Sequence, residues 1–366
     1  MSVRSAVKIA EVKASAYTVP TDGPEADGTF RWDKTTIVLV EAAAGGKTGL
    51  GYTYGDASLA HLVNKTLAEQ VVGEDALSVT GPLRKMYWRV RNLGRAGGSA
   101  MAISAVDAAL WDLKAKLVDL PLAILLGPVR EAVPVYGSGG FTTYSERQLR
   151  DQLDGWASQG MRWVKMKVGS DPAADAGRVH AARKAIGDKT ELFVDANGAY
   201  TRKEALAFAI RFAQDGVTWF EEPVSSDDLD GLRLMRDRAP GGMEISAGEY
   251  GYDIFYFRNM LRAGAVDVLQ ADVTRCGGIS GMMEVEALCR SQCLAMSSHC
   301  APALTLAWGC AAPNVRHLEW FHDHVRIEAM FFDGAPQPKD GVIRPDLTRP
   351  GNGLALKRED AKRYAV

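Results

Sequence analysis

The stretch Trp163-Val164-Lys165-Met166-Lys167-Val168 is a short apolar run that ends in positive charge. A run of that length, bounded by polar sequence and rich in large and β-branched side chains, predicts a buried strand. Similar runs follow at Leu192–Asp195, Trp219–Glu221, Ile245–Glu249, Val268–Asp272, Leu294–His299 and His317–Trp320, and one precedes at Val133–Tyr136. Amphipathic stretches of helical period separate them. The polar ends Lys167, Asp195, Glu221, Glu249, Asp272, His299 and Glu319 recur 20 to 28 residues apart. That interval holds one strand, one helix and two loops. Eight runs predict an α/β domain over residues 129–342, a modified (β/α)7β TIM barrel. A doubly wound open sheet is the alternative, but no GxGxxG turn accompanies it.

Residues 1–128 have a different texture. Apolar and polar positions alternate in Val7–Val19, Thr35–Glu41 and Thr48–Tyr54, and Ala42–Gly46 reads as the turn of a hairpin between the last two. Thr21–Asp33 reads as a polar loop with little reason to be rigid. Helical patterns follow at Ala57–Val72 and Ser99–Leu117. Strands followed by helices predict an α+β domain. Two domains also suit a chain of 366 residues.

The composition, 47% hydrophobic and 24% charged, is that of a soluble chain, and a net charge of −2 gives no basic footprint for nucleic acid or anionic membrane. No stretch approaches the ~18 apolar residues of a membrane span, and Met1–Glu11 lacks the apolar core of a secretory signal. The five cysteines (Cys276, Cys289, Cys293, Cys300 and Cys310) include no CxxC pair. They read as buried free thiols of a reducing cytoplasm rather than as a zinc knuckle.

In a parallel barrel the carboxyl ends of the strands converge on one face. An acid or a lysine just past a strand is often only a loop residue; seven at one phase point to a site. Asp195, Glu221 and Glu249 end three successive runs. Three converging carboxylates repel unless a cation sits between them. Oxygen-only ligands favour Mg²⁺, with Mn²⁺ possible, whereas zinc would recruit His or Cys. The alternative is that they face outward in salt bridges. Glu222 is expected to point to the other side or into the next turn. Lys165 and Lys167 share one strand face, so each ammonium should lower the pKa of the other towards that of a useful base. His299 and Asp272 end neighbouring strands, where a carboxylate can fix the imidazole tautomer. Lys167 and His299 are then expected on opposite sides of a substrate. Glu319 is expected to be a carboxyl group whose pKa burial raises, able to donate a hydrogen bond. His322-Asp323-His324 reads as a loop that shapes the pocket.

The run Ala102-Ile103-Ser104-Ala105-Val106-Asp107-Ala108-Ala109-Leu110-Trp111-Asp112-Leu113-Lys114-Ala115-Lys116, continued by Pro121-Leu122-Ala123-Ile124-Leu125-Leu126-Gly127, resembles the signature helix of the enolase superfamily. With the phased residues, the chain resembles the mandelate racemase subgroup, in its acid sugar dehydratase-like form. The resemblance implies a cap over the barrel, completed by a tail from about residue 343 to 366, with Thr21–Trp32 and Tyr52–Gly55 as the cap loops that set specificity. It implies Mg²⁺ on Asp195, on Glu221 of Phe220-Glu221-Glu222-Pro223 and on Glu249 of Gly248-Glu249. It also implies Lys167 and the His299–Asp272 dyad as acid–base groups and Glu319 as the electrophilic acid. The sixth strand end reads Asp272-Val273-Thr274-Arg275, where the muconate lactonizing group carries a lysine. The implied activity is removal of the proton α to a carboxylate, leading to dehydration of an aldonate or aldarate to a 2-keto-3-deoxy acid. A racemase or epimerase of a 2-hydroxy acid is the first rival. A non-catalytic barrel that binds a metal–carboxylate ligand is the second, and intact Lys167, His299 and Glu319 argue against it. Arg275, Trp32, Tyr54 and His322 are candidates for the distal end of a small-molecule carboxylate. The implied assembly is a homo-oligomer of two to eight subunits.

Overall fold

The computed structural model describes residues 6–366, so part of Met1–Glu11 lies outside the described residues. The chain opens with an antiparallel sheet of β1 (Ile9–Ala26), β2 (Arg31–Ala44) and β3 (Lys47–Tyr54), in that order. Two expectations are corrected here. Strand β2 continues through Ala42–Ala44, leaving only Gly45 and Gly46 in the turn. Thr21–Asp33 is not a loose loop but mostly strand, the tip of a long β1–β2 arm. Its turn is tied by the Asp27 carboxylate, which accepts from the backbone N–H groups of Thr29 (2.6 Å) and Phe30 (2.7 Å). The register slips between Pro20 and Glu25, which bends the arm. Its tip docks on the barrel. The Thr142 hydroxyl donates to the carbonyls of Ala26 and Asp27, and Thr143 donates to that of Pro24.

The helix Gly98–Leu117 lies across this sheet and is buried along most of its length. Its alanines keep the surface flat enough for backbone contact. A Cβ on Gly51 of β3 would stand 2.2 Å from the carbonyl oxygen of Ala105. On its other side the helix holds the barrel. Asp107 accepts from both the N–H (3.0 Å) and the hydroxyl (2.6 Å) of Ser280, and Trp111 donates to the same hydroxyl. The C-terminal tail returns to the sheet, where the N–H of Thr18 donates to the carbonyl of Tyr364.

Eight parallel strands follow: β4 (Val133–Gly139), β5 (Trp163–Lys167), β6 (Glu191–Asp195), β7 (Val217–Glu221), β8 (Glu244–Ala247), β9 (Val268–Ala271), β10 (Ala295–Ser298) and β11 (Leu318–Phe321). They pair in the order β10-β9-β8-β7-β6-β5-β4-β11. The circle closes where β10 meets the segment leading into β11 through irregular backbone bonds, from Met296 to Asn314 and from Arg316 to Met296. Seven helices intervene, which makes the (β/α)7β barrel. The helices start where polar side chains can cap them. Ser145 with Gln148 and Thr201 with Glu204 form capping boxes, and Asp171, Asp228 and Asp253 accept from first-turn N–H groups. Four of the five cysteines are buried as expected; Cys293 is exposed. Among the described residues, no helix is long and apolar enough to cross a membrane.

The contact between Gly51 and the helix gives a direct test. Gly51→Ala should lower stability by about 1–3 kcal/mol, the scale of overpacking a close contact, read as a lower urea midpoint. Gly177→Ala, in the helix Pro172–Ile186 with nothing within 4 Å of the added methyl, should instead raise stability by up to ~1 kcal/mol. Equal midpoints in both variants would mean that sheet and helix part easily.

Candidate active site

Strand register places the chemistry. Lys167 pairs with Asp195, Asp195 with Glu221, and Glu221 with Ser246, so these positions form one tier at the carboxyl end of the barrel. Glu249, Asp272 and His299 lie one or two residues beyond their strands, on the loops that rise from that tier. The turn into Glu249 needs Gly248, whose φ is +134° and whose Cβ would stand 2.1 Å from the carbonyl oxygen of Gln270.

Asp195, Glu221 and Glu249 are buried and offer oxygens that all lie within 4.8 Å of one another. They face inward, which excludes the outward salt bridges. Glu249 Oε2 has no hydrogen-bond partner; His299 Nε2 stands 3.3 Å away without hydrogen-bond geometry. Burial and the neighbouring Asp195 push Glu221 up to about 8. Acidic groups near this tier outnumber basic ones. Among the described residues, Asp195, Glu221, Glu222, Glu249, Asp272 and Glu319 meet Lys165, Lys167 and Arg275 as fixed cations, and the crowding shows in the raised pKa values of Glu221 and Glu222. An all-oxygen donor set, an unsatisfied buried oxygen and crowded carboxyl groups fit a hard divalent cation.

The lysines differ from expectation. Lys165 is fully buried, with its ammonium 2.6 Å from Glu221, 2.8 Å from Glu319 and 3.5 Å from Asp195. Burial works to lower its pKa, but these carboxylates hold it well above the ordinary lysine value. Lys167 reaches Asp195 at 2.5 Å and Asn197 at 3.2 Å, and its pKa also lies above the ordinary value; burial and Lys165 oppose this, and Asp195, Glu249 and Glu221 together outweigh them. Mutual repulsion of the two lysines is therefore the smaller effect.

Glu319 is corrected in the same sense. Burial alone would raise its pKa, but Lys165 and His299 hold it well below the carboxylate range. As found, it is an acceptor, taking bonds from Ser138 (2.6 Å) and from the N–H of Cys300 (2.8 Å). The dyad forms: His299 Nδ1 is 2.7 Å from Asp272. Burial works against imidazolium, yet Glu249, Glu319 and Asp272 raise the pKa of His299 above its usual value. Its Nε2 faces Cys300 Sγ at 3.3 Å. Glu222, expected on the other side or in the next turn, is buried. Its backbone is left-handed (φ +38°), and burial and Glu249 push its pKa well up.

Lys167 and His299 line one cavity of ≈350 Å³, together with Glu249, Asn197, Trp32 and His324. The expected distal contacts divide. Trp32 and Arg275 line the cavity, although Arg275 is engaged with Asp272 (3.3 Å) and with the carbonyl of Glu249 (3.0 Å). Tyr54 lies behind His324, stacked on it at 3.5 Å, and is not in the lining. His322 turns outward to Asp22 at 2.9 Å. A helix begins at His322, so residues two apart point to different sides, and it is His324 that reaches the cavity. Burial, and then the nearby His299, push His324 down to about 3, so it is a neutral imidazole. Sequence reasoning missed Asn197 and Cys300, and it placed His324 in a pocket-shaping loop without singling it out. The two-residue phase after Asp195 could have found Asn197; nothing local marks Cys300. A second cavity, of ≈280 Å³ between Thr80–Arg95 and Asp253–Phe255, lies on the flank and holds none of the phased residues.

A cap closing a parallel barrel, with a carboxylate trio on one side of the cavity and a lysine and a histidine–aspartate dyad beside it, defines a class of metal-assisted, carbon-acid barrels. Residues 148–361 match the family model described as enolase C-terminal domain-like, and residues 11–127 match that of the mandelate racemase / muconate lactonizing enzyme N-terminal domain. The chain belongs to the mandelate racemase / muconate lactonizing enzyme family of the enolase superfamily. It is 34% identical to the 3,6-anhydro-alpha-L-galactonate cycloisomerase of Streptomyces coelicolor, over 98% of this chain and 99% of the relative. A mandelate racemase/muconate lactonizing enzyme-like protein from Rubrobacter xylanophilus superimposes with a TM-score of 0.96 at 54% identity, over 98% and 100% of the two chains. The L-talarate dehydratase from Polaromonas sp., solved in complex with Mg and L-glucarate, does so with a TM-score of 0.88 at 30% identity, over 98% and 97%.

Calorimetric titration with Mg²⁺ should reveal a site in this protein that Asp195→Asn weakens by at least ~10-fold, since losing even a supporting residue costs that much. Circular dichroism should not change. Equal affinity in the two proteins would remove these carboxylates as ligands.

Proposed function

We propose that the protein removes the proton α to the carboxylate of an acid sugar, and that expulsion of the β-hydroxyl converts an aldonate or aldarate to a 2-keto-3-deoxy acid. The observation that carries this reading is the shared cavity: Lys167 and the His299–Asp272 dyad open onto the space beside three converging carboxylates. Its volume suits a small polyhydroxylated acid. In this proposal Asp195, Glu221 and Glu249 hold magnesium. When bound, magnesium would draw electron density from the substrate carboxylate and so acidify the α-carbon.

The remaining work falls to side chains. Lys167 Nζ, once it has given up the proton that Asp195 favours on it, or the neutral form of His299 at Nε2, takes the α-proton as the C–H bond breaks. Asp272, fixed on Nδ1, confines proton exchange of His299 to Nε2. From there a proton passes to the departing β-oxygen, which leaves as water while the carbon–carbon double bond forms. The enol then becomes the ketone. Lys165 holds Glu221 and Glu319 from behind and never meets solvent. The neutral His324 and the indole of Trp32 offer contacts to hydroxyl groups and to the carbon face of the substrate.

A second reading is favoured by the cycloisomerase relative. It keeps the proton removal but has the leaving oxygen tethered in a ring. The two readings differ in mass: dehydration gives a product lighter by one water, and cycloisomerisation gives an isomer. A racemase would return the epimer and exchange the α-proton with D₂O.

A panel of aldonates, aldarates and their anhydro or lactone forms, incubated with enzyme and Mg²⁺ and read by mass spectrometry, should yield a 2-keto product from at least one. His299→Asn should reduce that product by ~10²–10⁴-fold, as for loss of a general acid or base, while α-proton exchange in D₂O persists wherever Lys167 is the base. Near-wild-type turnover of His299→Asn would sink the proposed role of the dyad.

A further inference from the structure

A second group of metal-ligating side chains lies away from the carboxylate trio. Asp22 and Glu25 come from the bent arm of β1, and His322 begins the helix after β11. One donor atom from each lies within 4.8 Å of the others. Asp22 Oδ2 and His322 Nε2 are 2.9 Å apart. Glu25 is fully buried, and its two oxygens differ. Oε2 accepts from the indole N–H of Trp32 at 2.8 Å, whereas Oε1 has no partner. A buried carboxylate oxygen without a donor is costly, and either a proton or a cation satisfies it; burial, and then Asp323, push Glu25 up to about 8, so a bound ion would displace a proton there.

The charges around the group leave room for that cation. The nearby Asp323 is already engaged by Arg326 at 2.7 Å and by the hydroxyl of Thr35. Arg326 is further turned to the carbonyl of Pro20. Asp22 and Glu25 therefore remain, opposed by the His322 imidazole and, at longer range for Glu25, by Arg326. One imidazole nitrogen with two carboxylate oxygens is a donor set for zinc or a neighbouring first-row dication, not for magnesium. None of the three belongs to the Asp195–Glu221–Glu249 group.

We propose that Asp22, Glu25 and His322 form a second divalent-metal site, of zinc type, that pins the β1–β2 arm to the barrel. Binding replaces the Asp22–His322 contact and fills the empty coordination of Glu25 Oε1. The consequence runs through the other oxygen of Glu25. It holds Trp32, and Trp32 lines the active-site cavity, so occupancy of the second site fixes one wall of the first.

The test uses the full-length Asp195→Asn protein in Mg²⁺-containing buffer, so that the trio does not compete for the titrant. Zinc titrated calorimetrically should bind at one ion per chain. Asp22→Asn and His322→Ala, each added to that background, should weaken binding by at least ~10-fold, the minimum for removing a direct ligand. Both positions are partly exposed, and circular dichroism checks their folding. Zinc should also slow hydrogen exchange across residues 21–33, and His322→Ala should abolish that slowing. Absence of zinc binding would overturn the proposal. So would affinity and exchange that both substitutions leave unchanged, since the ion would then sit elsewhere, for instance at the exposed Cys293.

Discussion

The structure turns on the ammonium of Lys165. It has no contact with water, and it neutralises Glu221 and Glu319 directly and Asp195 at slightly longer range. Buried charges are tolerated only when their partners are in place. Lys165 therefore ties β5, β6, β7 and β11 to one another at the height where the chemistry sits. Glu221 shows the result. Lys165 holds one of its oxygens, and Trp219 and Gln270 hold the other. The acidic tier is fixed from behind, and its open side is left to Lys167, Glu249 and His299.

The cap supplies shape where the barrel supplies chemistry, and the two are not separable pieces. Thr53 donates to the carbonyl of Thr274, two residues past Asp272. Tyr52 donates to Glu328 on the last barrel helix at 2.5 Å. The helix Gly98–Leu117 binds both halves through its serine and aspartate side chains as well as its alanines. The cavity lies where the arm, Gly55 just past β3 and the strand ends meet.

Most of this was legible because it is periodic. Strand spacing, strand parity and capping residues are local properties, so eight strands and seven phased polar ends could be read from the chain alone. The signature helix was legible through its small residues, which mark close approach. What escaped depends on distant partners. The pKa values of Lys165 and Glu319 were misjudged because Lys165 was read beside Lys167 and Glu319 from burial alone, whereas each is set by a side chain more than 50 residues away. His322 and His324 exchanged roles because the first residue of a helix decides which way each points. Thr21–Asp33 was read as loose because its polar composition hides a strand whose order comes from Asp27, Thr142 and Thr143.

That docking has a consequence for how such a protein diversifies. At its tip the barrel grips the arm through main-chain carbonyls, those of Pro24, Ala26 and Asp27. Carbonyls are present whatever the side chains are, so substitutions there can accumulate without losing these bonds, except at Gly28, where a Cβ would meet the carbonyl oxygen of Ala196, and at side chains such as Asp22 that hold the barrel themselves. The charged groups of the barrel tier sit at strand ends where most are held by a buried partner, as Lys165, Glu221 and Glu319 hold one another, and drift there is punished at once. Selection can thus explore new substrates on one element while the reaction stays inherited on the other.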